Sequence, residues 1–489
     1  MAIGKRVVIL GGSVAGLCAA GAVAPHFDEV IVLERDSLPA DAQHRRGVPQ
    51  SKHPHFMLNS GRRAIESLFP GYEAALLAAG GRMLNPSRDA AYCEAVGWAP
   101  RKSGSMTMVY GSRILIERVL RDMVRKLDNV TIREEVVVRG IETERGGTGS
   151  GRVTGVNFTD ANGEQSISAD LVVDALGRGS SVPAWLAAAG WAEPPVRSLD
   201  AKVAYSSLWY QLPPADERPD SWWWQHLAIM PNQAKGEHPE EFDYLVNFFP
   251  IEGDRAIACM GAWGLELPKK TDSFIAAAQR IRTPVFAAAM KECEQLSEVH
   301  LTRSTGNKWR RYDLMPTPPL GLVAIGDAIC AFNPFYGQGM SSAARSAIIL
   351  AERLRNTTEL DTWFFRAFLG DQRKSLQVPW MLAVARDQGY DHATGTETAS
   401  RLVRKVSAAM VWPVFNLITA AAREDDVVEE HFARVFNLDE SMIDMAKNPR
   451  VIAGLIRYKV KLLLGRQKLP RSFDLQRDPP ATDYTLGVA

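Results

Sequence analysis

Glycine, serine and acid fall at the start of this chain in an order that could hold a phosphate. In Val7-Val8-Ile9-Leu10-Gly11-Gly12-Ser13-Val14-Ala15-Gly16 a short apolar strand runs through a tight turn into a small-residue helix. Gly11 permits the turn, and Gly16 lets the helix lie close on the strand, where a Cβ would collide. Ser13, Val14 and Ala15 open the helix, whose N–H groups and dipole favour an anion such as a pyrophosphate. Glu34 ends the next strand 18 residues beyond Gly16, where it can accept hydrogen bonds from ribose hydroxyls, with Arg35 beside it. Ser13 stands where the GxGxxG fingerprint has its middle glycine; its small side chain leaves a phosphate within reach.

A second constellation comes some three hundred residues later. Gly321-Leu322-Val323-Ala324-Ile325-Gly326-Asp327 is another short strand ending in Gly-Asp. It continues through Asn333-Pro334-Phe335-Tyr336-Gly337-Gln338-Gly339-Met340 into a small-residue helix, Ser341 to Leu354. Asp327 can accept hydrogen bonds from a polyol such as a ribityl chain. Gly337 and Gly339 allow backbone close to a flat ring. The uncapped N–H groups of the helix would stabilise negative charge at the N1/C2 edge of a reduced flavin. One cofactor must then reach both loops, so the two must meet in the fold.

The elements that position these loops are of mixed type. The first third alternates strand and helix: strands at Arg6–Leu10 and Glu29–Leu33, helices at Phe56–Phe69 and Arg113–Lys126, and one strand over Val130–Val138. The middle carries strand-like runs rich in Val, Tyr, Trp and Phe at 201–212, 222–230, 242–249 and 255–263, as in an antiparallel sheet. Two helices follow near 273–281 and 285–296, and beyond Thr358 the chain reads as helical, interrupted at Pro379, Pro413 and Pro449. The fold class expected is α/β: a Rossmann-like FAD-binding domain, an antiparallel-sheet substrate domain and a helical C-terminal region. The boundaries expected are 1–75, 105–182 and 297–356 for the first, 76–104 and 183–296 for the second, and 357–489 for the third.

Bulk properties narrow the function classes. The 489 residues carry a net charge of +1, so no global field draws the chain to nucleic acid. Five scattered cysteines suggest neither a disulfide framework nor a metal site, and a reducing cytoplasmic setting is expected. The apolar run after Lys5-Arg6 imitates a signal peptide, but the nucleotide reading explains its glycines and Glu34 as well. The longest apolar run, Val406 to Ala422, contains Pro413 and Asn416 and reads as a buried helix rather than a membrane span.

Taken together, these motifs resemble the class A FAD-dependent monooxygenases, the family of aromatic hydroxylases and squalene-epoxidase-like flavoproteins. The likeness runs from the N-terminus to about Leu354. It implies that the glycine turn and Glu34 hold the ADP half of FAD, and that Asp327, Pro334, Gly337, Gly339 and Met340 hold the flavin half. Arg113, opening the helix Arg113-Ile114-Leu115-Ile116-Glu117, matches a family arginine that contacts FAD. Val138 matches a strand position whose backbone touches adenine, and Arg46, in Arg45-Arg46-Gly47, falls where relatives carry a loop beside the flavin. The activity implied is insertion of one oxygen atom from O2 into an aromatic or lipophilic unsaturated small molecule through a C4a-hydroperoxyflavin. No catalytic side chain is assigned.

Two landmarks depart from the family. In Asp170-Leu171-Val172-Val173-Asp174-Ala175-Leu176-Gly177, Leu176 replaces the aspartate of the family's Asp-Gly motif, which serves NADPH as well as FAD. Electrons from NADH or NADPH are therefore expected to arrive through a separate flavin reductase as an alternative to direct transfer. The Trp-x-Trp-x-Ile-Pro motif of flavin-dependent halogenases is missing; Trp222-Trp223-Trp224 does not fit it and reads as lining a sheet or pocket. Rival readings are a reductase of the geranylgeranyl-reductase kind and a non-catalytic flavin-binding protein. His53 and His55 are the only paired histidines near the flavin loop and read as structural. A basic, apolar helix within 450–466 offers peripheral membrane contact, set against a helix packed on the body with its basic face in water.

Overall fold

The computed structural model describes residues 2–465 except 95–96, 103, 105, 146–150, 220, 233–237 and 304. A five-stranded parallel sheet organises the nucleotide-binding part: β1 (Gly4–Leu10), β2 (Phe27–Leu33), β3 (Val130–Arg133), β4 (Leu171–Asp174) and β5 (Leu322–Ala324), in the order β5-β4-β1-β2-β3. Val7, Ile9, Val30 and Val32 face one hydrophobic core, while Val8, Leu10, Ile31 and Leu33 face another. Both faces are covered, which is why these strands read as unbroken apolar runs rather than as alternation. Helices α1 (Val14–Val23), α2 (Arg113–Val124) and α3 (Gln338–Arg355) pack on the first face. The leader-like run Val7–Ala24 is thus β1 and α1, buried in the fold.

The middle of the chain forms an eight-stranded sheet with Val203–Gln211, Arg255–Trp263, Leu245–Ile251 and His226–Ile229 as consecutive neighbours, paired antiparallel. Ala90–Glu94 joins it in parallel beside His226–Ile229. Trp222 and Trp224 precede the strand rather than lie in it. Their rings, 5.0 Å apart, pack on Phe248 in the sheet's core.

Three expectations need correction. Val130–Val138 is not one strand: the chain leaves β3 and breaks at Glu135, which sits at φ +59°, then starts a new antiparallel sheet at Val137. Pro379 does not interrupt its helix, for α4 runs from Thr362 to Asp387 with Pro379 inside it. Pro449 instead falls in the first turn of α8 (Pro449–Leu463), where a missing N–H costs nothing, and Pro413 stands at the second residue of α6 (Trp412–Ala422), directly after the π-helical turn at Ser407–Val411.

The third concerns Val406–Ala422. α5 (Arg401–Val406), a π-helical turn at Ser407–Val411 and α6 form one 22-residue helix, long and apolar enough to cross a membrane, of which only the far end is buried. α6, α7 (Asp426–Phe436) and α8 pack on one another around a small separate core.

Candidate active site

The two glycine loops meet. β1 and β5 flank β4 in one sheet, and a Cβ built on Gly326 would lie 2.7 Å from the Cβ of Ala15. The second loop therefore rests on the first turn of α1. Gly11 sits at φ +101°, and its N–H donates to Leu33 O at 2.9 Å. Ser13 takes the N-cap position of α1 without capping it by its side chain, so the helix opens with its first N–H groups uncapped at Val14, Ala15 and Gly16. α3 opens in the same way after Gly337, at φ +64° and without a side-chain cap.

Glu34, 4% exposed, accepts from Gly12 N at 2.8 Å and from Asp36 N at 3.0 Å. Val136 N donates to Glu34 O at 2.9 Å, which brings the half-buried Val138 beside the same strand end. Arg113, 6% exposed, is set in place because Ser112 caps α2, accepting from Leu115 N at 3.1 Å. Its Nη2 donates to Ser13 Oγ at 2.6 Å. The Arg113 charge is also felt at Asp327 and at His55. Half-buried Asp327 has its carboxyl pushed up by desolvation, opposed by the charges of Arg178, Arg113 and Arg310. Gly339 is open toward Asp327, Met340 is buried, and Pro334 lies exposed at the loop's tip.

Arg35 and Arg46 stand apart from this convergence. The Arg35 side chain is 63% exposed, and Arg46 is exposed beside a cavity of about 300 Å³ lined by Asp36, Ser37, Pro39, His44 and Arg45. Arg45 is the member of the pair that turns inward. Its guanidinium bridges Glu117 at 2.8 Å, Asp36 at 2.9 Å and Glu34 at 3.1 Å. Glu117 in turn accepts from Ser13 Oγ at 2.8 Å. Arg45 and Glu117 were not singled out from sequence, although Glu117 lies one helical turn after Arg113, a spacing that places both on one face.

Asn333 fixes the flavin-loop candidate. Its Oδ1 accepts from Phe335 N at 3.1 Å and from Tyr205 Oη at 3.2 Å, and its N–H donates to Asn307 Oδ1 at 2.7 Å. Asp387, the last residue of α4, accepts from Asn333 Nδ2 at 3.1 Å, Asn307 Nδ2 at 2.7 Å and Trp263 Nε1 at 2.9 Å. No local sequence signal links these positions.

Beyond the loop lies an aromatic enclosure. A Cβ on Gly337 would meet Phe56 at 2.7 Å, and the Phe56 ring lies 5.5 Å from that of His226. Tyr110, Tyr92 and Phe249 complete the group around His226. His226 Nε2 is 3.1 Å from Asn247 Oδ1, so it carries the proton, and Nδ1 accepts from a tyrosine hydroxyl; Tyr92 and Tyr110 are both at 3.2 Å. Burial lowers His226 to about 4, so this is a neutral polar group in an apolar wall. His53, buried with Nδ1 2.8 Å from Ser207 Oγ, is lowered to about 3 by burial and neighbouring positive groups. His55 is lowered to about 4 by burial and by Arg113.

These imidazoles make stability depend on pH. Folded His53 and His226 refuse protons that the unfolded chain binds at about 6.5, so their contribution is complete above that value and is lost as pH falls toward 4. Each contributes on the order of 3 kcal/mol. Asp174, raised to about 6 by burial, has the opposite sign: its contribution is complete below 3.8 and is lost as pH rises through 6. Two imidazoles outweigh one carboxyl, so the urea midpoint is expected to be clearly lower at about pH 5 than at about pH 7.5, with a shallower dependence in His226→Gln. Equal midpoints at both pH values would show that the imidazoles are not held neutral.

The site residues fit a flavin dinucleotide on two observations. The N–H groups that open α1 and α3 are uncapped and face the two glycine loops, and buried Arg113 Nε, Arg45 Nη2 and Gln338 Oε1 have no protein partner. A bound pyrophosphate would take up the donors that Ser13 and Arg113 now share with Glu117.

No family model matches the chain. It is 29% identical to Protein Rv3254 of Mycobacterium tuberculosis over 474 residues, 95% of each chain. Among solved structures it is similar to the flavin-dependent brominase Bmp2, with a TM-score of 0.63 at 14% identity, covering 95% of this chain and 100% of that one. It is also similar to p-nitrophenol 4-monooxygenase PnpA from Pseudomonas putida, with a TM-score of 0.58 at 15% identity, covering 90% and 99%. With its parallel sheet, its antiparallel sheet and the two glycine loops in contact, the chain has the fold of the class A FAD-dependent monooxygenases, which the flavin-dependent halogenases share.

Proposed function

We propose that the chain is an FAD-dependent monooxygenase that inserts one oxygen atom from O2 into an aromatic or lipophilic unsaturated small molecule. The observation that carries this reading is the contact between the Gly326 loop and α1, with an aromatic enclosure beyond Gly337. FAD, once bound and reduced, supplies the activation of oxygen.

The chain's own residues bind and orient. Gly11, the N-cap Ser13 and the first N–H groups of α1, at Val14, Ala15 and Gly16, take the pyrophosphate with Arg113. Glu34 takes the ribose, and Asp327 and the N-terminus of α3, from Gly337 to Met340, take the flavin end. Phe56, Phe249, Tyr92 and Tyr110 exclude water from the substrate's place. His226, whose Nδ1 accepts from a tyrosine hydroxyl, fixes the orientation of Tyr92 and Tyr110 in that wall.

NADH or NADPH is the electron source. Leu176 leaves the Asp-Gly position without its carboxylate, which favours delivery through a separate flavin reductase.

The test is turnover under isotopically labelled O2, with reduced FAD supplied by an added reductase, against phenols and lipophilic alkenes. One labelled oxygen per product is expected. Hydride transfer to an alkene without oxygen would instead identify a reductase, and flavin reoxidation with no product from any substrate would remove the enzyme reading.

A further inference from the structure

The turn that ends α7 holds a leucine in a conformation that suits glycine. Leu438 N donates to Val435 O at 3.1 Å and Asp439 N to Arg434 O at 2.8 Å, the two bonds of a Schellman stop. Leu438 takes the left-handed place of that motif, at φ +59°. Glycine is usual there because a Cβ is strained. The apolar contact that ordinarily accompanies the motif joins the positions held here by Arg434 and Asp439, both charged. The helix stop itself therefore does not ask for a leucine.

What the side chain gains lies elsewhere in the fold. Leu438 is 6% exposed and belongs to one buried cluster with Leu58, Leu84, Met108, Tyr110 and Phe249. Tyr110 and Phe249 are walls of the aromatic enclosure around His226, and Phe56 packs against the same cluster. Among the described residues of 401–463, Leu438 alone enters it, while the other buried apolar side chains of α6, α7 and α8 turn to their own small core. The contacts that flank Leu438 are polar. Buried Asn437 accepts at Oδ1 from Asn59 N at 2.9 Å, and Asp439 is ion-paired with Arg63, on the helix Asn59–Leu68 that follows Phe56. These contacts set the register of the turn on the body, and the leucine fills the space beneath it.

We propose that Leu438 is a specificity-determining residue: its side chain closes the aromatic enclosure from the C-terminal helices and limits the bulk of the molecule that fits, a role that rests on the enclosure being where the substrate lies. The rings of Phe56, Tyr110 and Phe249 already stand with centroids 4.9 to 5.9 Å apart. Room beyond one substrate ring opens only if the wall at Leu438 recedes. The substrate class is thereby narrowed to compact single-ring molecules rather than linked or fused rings.

The experiment titrates the full chain, as purified, with 4-methylphenol and with 4-phenylphenol in a calorimeter. Binding needs no turnover, so failure of the labelled-oxygen test leaves this readout intact. The wild type is expected to bind the smaller phenol more tightly by about tenfold or more. Leu438→Gly and Leu438→Ala are expected to tighten 4-phenylphenol by about tenfold and to leave 4-methylphenol within about threefold. Leu438→Gly should melt no lower than Leu438→Ala, because glycine accepts φ +59°. Val435→Ala is the control: it opens a void in the core of α6, α7 and α8, lowers the melting midpoint and keeps the wild-type ratio of the two affinities. A ratio unchanged in both Leu438 variants overturns the proposal. So does an equal change in Val435→Ala, or binding of neither phenol to any of these proteins.

Discussion

Gly16→Ala is expected to yield protein that no longer retains FAD. A Cβ at this position would fall within the van der Waals envelope of Gly11 O and would press on Gly11 C. Neither atom can yield easily. Gly11 is tied to Leu33 O through its N–H, and at φ +101° it already faces Ala175 O, which a Cβ there would meet at 2.7 Å. α1 would have to lift off β1, carrying the uncapped N–H groups of Val14 and Ala15 away from the pyrophosphate. Overpacking of a tight contact costs about 3 kcal/mol. The purified variant should carry less than about a tenth of the wild-type flavin, by its visible absorbance, and melt about 3 °C lower. Gly370→Ala, within α4, is the control, for a Cβ there meets nothing within 4 Å. Wild-type flavin content in Gly16→Ala would mean that the pyrophosphate does not lie at this turn.

The second large effect is expected far from that turn, at the end of α4. Asp387 is 1% exposed and receives hydrogen bonds from Trp263, Asn307 and Asn333, themselves buried. Asp387→Ala would leave three buried donors facing a void, at a cost of about 4 kcal/mol if only part of each penalty is recovered. The effect should reach the cofactor, because Asn333 holds both Phe335 N and Tyr205 Oη. Asp387 acts here as a positioning residue. The expected readouts are a lower thermal midpoint, FAD affinity weakened by about tenfold or more, and a changed Trp263 environment in near-ultraviolet circular dichroism. Asp387→Asn keeps one acceptor and should fall between the two. Unaltered flavin affinity in a folded Asp387→Ala protein would confine the residue to stability alone.

How much of this was legible in the sequence depended on the range of the interaction. Glycines that permit a turn and an acid ending the next strand act on neighbours within a few residues. Val7–Gly16, Glu34 and Gly326–Gly339 could therefore be picked out, and the α/β class with them, whereas Arg113 rested on the family resemblance. The boundaries that failed were set by partners elsewhere. Pro379 stays inside α4 because the helix is held by burial: Leu376 and Trp380 are enclosed in the core on the second face of the parallel sheet. The strand expected to run through Val138 breaks at Glu135 because its two halves pair in different sheets.

By itself the sequence determined the local chemistry of the two loops: a backbone free of Cβ where a ligand or a second chain segment comes close, and helix starts left uncapped. Only the tertiary structure decided that the loops touch, that Arg45 rather than Arg46 turns toward Glu34, and that Tyr92, Tyr110 and His226 share one enclosure. The reason is physical. Which of two adjacent arginines is buried, or which tyrosine reaches a histidine 116 residues away, follows from pairing and packing among distant segments. Those energies have no local signature, since each is settled only once both partners are in place.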